Sequence, residues 1–255
     1  MSKNFKAILL CFLVFILLLN LISCKEEPDV HIKFFENDSA ALTSLSRAVL
    51  INVSINDAKA VTKYLKSEKV ELVDALIMGD MSADILEGSS HILKNTDVDK
   101  IYTSADIPEN EAYDGFLEAL DEAAIDPYCV EGSLSFGAGD TSIRVYASVD
   151  DPEASLITRI VCNKKAFLFL GGADDKRIFE FMRYDENKYD LIKLSYDGET
   201  GSALSELIEK AGPDILICAK DSPDQKDIAK KAKCDIYELN KDICFECNGK
   251  RIKKV

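Results

Sequence analysis

Side chains that could do chemistry gather just after a short apolar run at residues 75–78. Asp80, Ser82 and Asp84 supply two carboxylates and a hydroxyl, with neither histidine nor cysteine beside them. Oxygen donors of this kind cap helices or bind hard cations such as Mg²⁺ and Ca²⁺. These three residues are therefore the first candidates for a functional site.

The elements around this segment should place it at the edge of a sheet. Residues 75–78 have the apolar pattern of a buried strand, and Ile85, Leu86, Ile92 and Leu93 follow at helical spacing. A strand that leads directly into a helix puts the intervening side chains at the carboxyl edge of its sheet, where α/β folds usually keep their chemistry.

The rest of the chain repeats strands followed by helices, with hairpins in the middle and at the end. Strands are predicted at residues 30–35, 48–53, 99–103, 134–136, 142–147, 155–162, 166–170, 190–194, 214–219 and 235–239, and helices at 57–69, 109–123, 177–184, 203–210 and 224–233. This order predicts an α/β (α+β) domain over residues 30–255, built as a four-layer αββα sandwich. A doubly wound α/β sheet is the alternative.

The first 23 residues read as an export signal. Lys3 and Lys6 precede an almost unbroken apolar run at residues 7–19, and a small residue comes before Cys24. The end of the run resembles the lipobox of bacterial lipoproteins. That resemblance implies cleavage before Cys24, lipidation of its thiol, and a tether over residues 24–29 on the extracytoplasmic face of the cell membrane. An uncleaved N-terminal anchor is the alternative.

Composition disfavours nucleic acid as a partner. The chain has 31 basic and 45 acidic residues, a net charge of −14. Loss of the signal, which carries Lys3 and Lys6, would make the exported part more acidic still. Such a surface repels phosphate backbones and anionic lipid alike. We therefore expect the membrane link to be the lipid on Cys24 alone.

Six of the eight cysteines follow Cys24 in the chain, and they allow either disulfides or buried thiols. They are Cys129, Cys162, Cys218, Cys234, Cys244 and Cys247. An even number outside the cell is compatible with pairing, but two of them lie in apolar strands, where cysteine behaves as a small hydrophobe. The CxxC of Cys244 and Cys247 falls on a predicted strand, so its thiols should point to opposite faces. We favour structural roles, and the sequence leaves their pairing open.

The order of these segments resembles the metallo-β-lactamase superfamily, and within it the extracytoplasmic domain of ComEC/Rec2-type competence proteins. The matching segments span about residues 30–252 and are 31–39, 49–52, 76–88, 155–157, 167–173 and 190–199. The resemblance implies the αββα fold and a metal-dependent hydrolase ancestry.

The family's first metal motif is degenerate in this chain. Its first two histidines correspond to Asp80 and Ser82, and its third to Ile85, while Asp84 is retained. Zinc hydrolases of this fold need neutral imidazoles and an open coordination position for a metal-bound water. Without imidazoles, a zinc site is not expected.

The later motifs have lost their ligands too. The bridging aspartate corresponds to Gly172, with Asp174 and Asp175 just beyond, and the final histidines correspond to Tyr196 and Asp197. The two histidines of the chain, His31 and His91, match no ligand position. We interpret them as an ordinary strand residue and a solvated helix residue.

Two hypotheses for the function follow. In the favoured one the chain is a non-catalytic lipoprotein that binds or scaffolds a small molecule or a protein, and it needs no cofactor. Asp84 then orients backbone, Asp80 caps the helix, and Asp197 is a turn residue. In the alternative, Asp80, Ser82, Asp84 and Asp197 converge, and Asp174 approaches them. Asp80 and Asp84 then hold Mg²⁺, Mn²⁺ or Ca²⁺ for phosphoester hydrolysis, Asp174 and Asp197 are further candidate ligands, and Asp197 is the base.

Overall fold

The protein is described by a computed structural model over residues 30–194, 201–220 and 222–255. These residues form two sheets with strand orders β15-β14-β1-β2-β3-β4-β5-β6 and β13-β12-β11-β10-β9-β8-β7. The signal, the tether, Cys24, Tyr196 and Asp197 lie outside the described residues. Within those residues, no helix is both long and apolar enough to cross a bilayer.

The first sheet is built mostly from the N-terminal half of the chain. Its strands are β1 (Val30–Phe34), β2 (Ala40–Ser44), β3 (Arg47–Ile51), β4 (Leu72–Ile77), β5 (Ile101–Thr103), β6 (Tyr128–Cys129), β14 (Ile243–Cys247) and β15 (Ile252–Lys254). The strands from β3 to β6 run parallel, and the C-terminal hairpin β14–β15 joins the other side of the sheet antiparallel to β1.

The second sheet follows in the C-terminal half. Its strands are β7 (Ser133–Ala138), β8 (Thr141–Tyr146), β9 (Ile157–Cys162), β10 (Lys165–Phe169), β11 (Leu191–Lys193), β12 (Ile215–Cys218) and β13 (Asp235–Glu238). The strands from β7 to β10 form antiparallel hairpins, and those from β10 to β13 run parallel because a helix intervenes between each pair.

Six helices in the described residues cover the outer faces. They are α1 (Ile55–Ser67), α2 (Ala83–Asn95), α3 (Glu111–Ala123), α4 (Asp175–Met182), α5 (Ser202–Ala211) and α6 (Pro223–Lys231). α1 to α3 pack on the first sheet and α4 to α6 on the second, each group over its own apolar cluster. A third cluster lies between the sheets, where the Phe34 and Phe169 rings stack with centroids 6.0 Å apart. The predicted αββα sandwich is therefore confirmed.

Two local departures from the predicted elements matter for the site. β2 was not predicted, because Ala40 and Ala41 have weak β-propensity and the strand forms only between two neighbours, β1 and β3. β3 ends at Ile51, two residues before the predicted strand does. Asn52 there takes a left-handed conformation, with φ of 49°. Both departures lie at the edge of the sheet where the candidate residues collect.

The six cysteines of the described residues form no disulfide. Cys247 packs between the two sheets, whereas Cys244 is half-buried on the opposite face of β14. The two thiols therefore point apart, as the odd spacing of the CxxC predicted. Neither a redox pair nor a shared metal site follows from this geometry.

Candidate functional site

The carboxyl ends of strands from both sheets meet at one edge of the sandwich. From the first sheet come the loops after β1, β3 and β4, and from the second sheet the loop after β10 and the end of β11 at Lys193. Leu156 N donates to Gly79 O at 2.8 Å, which joins the loop before β9 to the end of β4. A Cβ on Gly171 would lie 3.3 Å from Gly79 Cα, so the two backbones are in close contact.

Asn52 shapes the turn that presents Asp80. Its backbone N–H donates to Ile77 O at 3.0 Å, and its side-chain Oδ1 accepts from Gly79 N at 2.5 Å. A Cβ on Gly79 would lie only 2.6 Å from that oxygen, so a larger residue at position 79 would displace the Asn52 side chain. The left-handed conformation of Asn52 is one that asparagine tolerates better than most residues do.

Asp80 faces the position where the resemblance places a bridging aspartate. A Cβ on Gly172 would lie 3.2 Å from Asp80 Oδ2 and 2.9 Å from Ser155 Oγ. The two motifs that the resemblance relates to metal binding are therefore adjacent in space. The Asp80 and Ser155 side chains take up the space next to Gly172, and no group of three histidine, cysteine, aspartate or glutamate side chains forms there or elsewhere in the described residues.

A buried ion pair crosses between the sheets at the same edge. Lys193 Nζ of β11 pairs with Asp38 Oδ1 of the β1–β2 turn, and the two side chains are 5% and 11% exposed. Lys193 Nζ also donates to Leu194 O at 2.8 Å. Asp38 has φ of 79°, a conformation that costs energy in a residue with a Cβ and that clusters at functional sites.

The turn that carries Asp38 is held by a second buried carboxylate. Asp57, in the first turn of α1, accepts from Asn37 N at 3.0 Å, from Asn37 Nδ2 at 2.8 Å and from Ser39 N at 3.3 Å. Burial raises the pKa of Asp57, although these hydrogen bonds act in the opposite direction. Asp57 therefore positions the turn and does not reach the edge itself.

The electrostatics of this edge combine two carboxylates with one ammonium. Burial raises the pKa of Asp38, the charge of Asp80 adds to the rise, and the Lys193 ammonium and the Asn52 amide oppose it. A cation is thus already present among the carboxylates. It neutralises Asp38 and repels a second positive charge at the same place.

The remaining predicted residues have local structural partners. Ser82 is exposed at the start of α2, and its backbone N–H donates to Asp80 Oδ1 at 3.0 Å. Asp84 Oδ1 accepts from Asn56 Nδ2 at 3.4 Å. Asp174 caps α4 by accepting from Arg177 N at 2.7 Å. Asp197 lies outside the described residues, so its predicted role is untested.

The donors that are present do not fit a zinc centre. In the described residues no three histidine, cysteine, aspartate or glutamate side chains come together as a metal would require. His31 lies in β1, with Nδ1 3.6 Å from Glu68 Oε2, and His91 is half-buried on α2. Zinc prefers imidazole and thiolate donors, and neither type reaches Asp80.

A cleft of about 230 Å³ opens beside Gly172. It is lined by Ser148, Asp151, Ala154, Ser155, Gly172, Ala173, Asp174, Lys176, Arg177 and Glu180. At its floor Arg177 donates to Ser155 O at 3.0 Å and to Tyr146 O at 2.9 Å, and it pairs with Glu180 at 3.3 Å. These contacts occupy Arg177, so the polar groups that a small ligand would meet include Asp151, Asp174 and Lys176, which are exposed, and Ser155, which is half-buried.

Glu180 ties the cleft to the loop before β9. It accepts from Ser148 Oγ and Val149 N, both at 2.6 Å, and from Asp150 N at 3.2 Å. These hydrogen bonds hold the pKa of Glu180 below its ordinary value even though burial opposes them. The Arg177–Glu180 pair therefore stabilises the loop that forms one wall of the cleft.

Asp38, Asn52 and Lys193 were not among the residues predicted for the site. All three nevertheless lie inside segments that carry the resemblance, at 31–39, 49–52 and 190–199. The usable signal was Lys193, a charge within an otherwise apolar strand, which requires a buried partner. Nothing in the sequence identified Asp38 as that partner, because the two are far apart along the chain.

Comparison with known proteins supports the fold. No protein-family model matches the chain, and no curated protein matches it. Solved structures do: YhfI from Bacillus subtilis, a metallo-β-lactamase fold protein, superposes with a TM-score of 0.60 at 12% identity, over 86% of this chain and 99% of YhfI. Igni18, a metallo hydrolase from Ignicoccus hospitalis, gives 0.54 at 11% identity, over 85% and 98%.

A third similar structure is an E377D mutant of the CmlA β-hydroxylase. It gives a TM-score of 0.60 at 10% identity, over 86% of this chain but only 54% of CmlA. Identities this low establish architecture and not activity. The chain has the metallo-β-lactamase fold, and its site must be judged on its own residues.

Proposed function

We propose that this chain is a lipid-anchored, extracytoplasmic protein whose metallo-β-lactamase-like domain is a non-catalytic binding or scaffolding module. Within the superfamily, the order of its motifs makes a ComEC/Rec2-like origin the best match. One observation carries the non-catalytic part of the proposal. Lys193 occupies the edge with Asp38 beside Asp80, and the described residues supply no set of three metal donors.

The physical reason is that the reaction of this fold depends on a metal-bound water. Zinc lowers the pKa of such a water to about 7 and so generates hydroxide at neutral pH. Here the positions of the first motif hold Asp80, Ser82 and Ile85. Ile85 lies in the first turn of α2, is 5% exposed and packs in the apolar cluster between α1 to α3 and the first sheet, so it serves the core. An ammonium ion offers positive charge but no open coordination position.

A ligand or partner would be bound at the same edge. The cleft beside Gly172 has room for a small molecule, and its accessible polar groups include the hydroxyl of Ser155 and the ammonium of Lys176. The overall charge of −14 argues against a nucleic acid. A small polar molecule or a protein partner is the class that this surface fits.

The membrane attachment rests on the leader. Its apolar run is followed at once by Cys24 and then by charged residues, which is the arrangement of a lipidated export signal. Intact mass of the membrane fraction should show a lipid on Cys24. Release of the Cys24→Ala variant from the membrane would support the lipid anchor. An unmodified Cys24 in the wild type would refute it.

The alternative is a hydrolase that uses Mg²⁺, Mn²⁺ or Ca²⁺ on a phosphoester. The observation that favours it is that Asp80 lies close enough to Asp38 to raise its pKa, so two carboxylates share one edge. Asp84, Asp174 and the undescribed Asp197 would have to move towards them. At present Asp84 and Asp174 are engaged at helix starts.

Calorimetric titration with Mg²⁺, Mn²⁺, Ca²⁺ and Zn²⁺ separates the two functions. We expect no saturable heat for any of these ions and no turnover of bis-p-nitrophenyl phosphate. Metal-dependent turnover that disappears in Asp84→Ala, but survives in the control Asp121→Ala on the exposed face of α3, would establish the hydrolase and refute the proposal.

A further inference from the structure

The C-terminal hairpin is basic although the protein as a whole is acidic. From Asn248 to Val255 the chain has four basic residues and no acidic one, although the whole chain carries −14. Lys250, Arg251 and Lys253 are exposed. Lys254 lies over the Tyr237 ring, with Nζ 4.2 Å from its centroid, and is thereby held in place.

This hairpin lies beside the point where the N-terminal segment joins the domain. Cys247, at the end of β14, is the register partner of Val30, the first residue of β1. The turn that follows Cys247 is therefore next to the chain entry. A segment of six residues from Cys24 to Val30 spans at most about 20 Å when fully extended.

A second turn extends the same surface. Lys164 N, in the β9–β10 turn, donates to Gly249 O at 3.3 Å, and a Cβ on Gly249 would lie 2.5 Å from the Asn163 side chain. The tips of the two hairpins are thus packed together, and Lys164 is exposed there. We call the surface formed by Lys164, Lys250, Arg251 and Lys253 the basic turn surface.

We propose that the basic turn surface binds the headgroups of anionic phospholipids. This inference rests on the proposed lipid on Cys24, which would hold the surface near the bilayer. One acyl anchor together with a basic patch is a recognised way to make membrane attachment stable and oriented. Net charge predicts repulsion from anionic lipid, but the screening length in physiological salt is about 8 Å, so the charges next to the bilayer dominate.

The orientation has a consequence for the candidate site. β1 begins at Val30 beside the basic turn surface and ends near Asp38, at the opposite end of the sandwich. Docking through the basic turn surface therefore points the site away from the bilayer, towards the exterior. A partner or ligand would then reach the site without competition from lipid.

Two other features of the basic turn surface have to be separated from lipid binding: a neighbouring acidic residue, and the position of its lysines on an edge strand. Glu246 is the register partner of Lys253 and offsets part of its charge. Lysines on an edge strand such as β15 also discourage pairing with another chain, and this role does not depend on lipid. Only a difference between anionic and neutral bilayers identifies lipid binding.

The test uses the full chain in vesicles of phosphatidylcholine with or without phosphatidylglycerol. Acetylation of each lysine is quantified by peptide mass spectrometry. We expect Lys164, Lys250 and Lys253 to be labelled several-fold less in the anionic vesicles and this protection to vanish in high salt. Lys59 and Lys176 serve as internal controls and should be labelled equally in both.

A charge-matched pair of variants completes the test. The variant K250Q/R251Q/K253Q should lose the protection of Lys164, whereas K59Q/K63Q/K176Q should keep it. Vesicle flotation of the same samples measures whether the protein binds at all. If the protein floats with both kinds of vesicle but Lys164 is labelled equally in both, lipid binding by the basic turn surface is refuted and the lipid anchor is not. Flotation only with anionic vesicles overturns the anchor and supports the surface, and flotation with neither overturns both.

Discussion

Replacement of Lys193 by methionine tests the buried Lys193–Asp38 ion pair, on which the proposal of a non-catalytic site depends. Methionine keeps much of the length and apolar body of the side chain but removes the ammonium. Asp38 is then left 11% exposed and without its counter-ion. Removal of one partner of a buried pair costs about 3–5 kcal/mol, which for a domain of this size lowers Tm by about 6–20 °C.

Urea unfolding followed by circular dichroism would measure this loss. The variant Asp38→Asn/Lys193→Met removes the uncompensated charge as well, so it should recover most of the stability. Lys94→Met is the control, because Lys94 pairs with Glu122 at 4.0 Å on the surface and its loss should cost less than about 1 kcal/mol. A Lys193→Met variant within about 1 kcal/mol of wild type at neutral pH would refute the reasoning.

The same variant should respond to pH in a definite direction. Burial raises the pKa of Asp38 in the folded state above the ordinary 3.8, so the folded state binds the proton more tightly. Stability from this group therefore rises as pH falls through its folded pKa. Because Lys193→Met removes the opposing ammonium, its deficit should shrink on acidification. A deficit that stays constant down to the ordinary pKa would show that the charge of Asp38 is not the cause.

Two further substitutions test the surroundings of the site. Glu180→Gln should cost about 2–4 kcal/mol, because it breaks the buried pair with Arg177 and weakens the loop contacts. The pKa of Glu180 is held below 4.5, so its contribution to folding stability is present above that pH and is lost as pH falls through the lowered value. The glutamine variant should therefore lack that part of the acid unfolding transition. An acid unfolding transition identical to that of the wild type would contradict this prediction. Gly79→Ala should cost about 1–3 kcal/mol, because its Cβ would lie 2.6 Å from Asn52 Oδ1. Gly115→Ala, where nothing lies within 4 Å of the added Cβ, should be neutral or stabilising, and equal effects of the two alanines in thermal unfolding would argue against the clash.

Much of the fold is readable from local patterns. The apolar run before Gly79 and the helical spacing of Ile85, Leu86 and Ile92 are properties of short segments, and the strand β4 and the helix α2 form where they predict. Each half of the chain repeats strands followed by helices. Few architectures bury the apolar faces of all these elements, and the four-layer sandwich is one of them.

The carboxylates near the start of α2 agree with the sequence-based interpretation only in part. Asp80 was interpreted as a helix cap, and its Oδ1 accepts from Ser82 N just before α2, whereas Asp84, interpreted as orienting backbone, accepts from the side chain of Asn56. Asp197 is untested because it lies outside the described residues. The absence of histidine from the motif positions was visible from the start, since it depends on composition and order alone.

The sequence by itself determined the order of the elements, the sidedness of their apolar faces and the absence of histidine and cysteine around Asp80. Only the tertiary structure decided that Lys193 meets Asp38 across 155 positions and that Gly172 faces Asp80. The reason is physical. Helices and strands follow from neighbours a few residues apart, whereas the partner of a buried charge depends on how two sheets stack, and a linear pattern does not encode that contact.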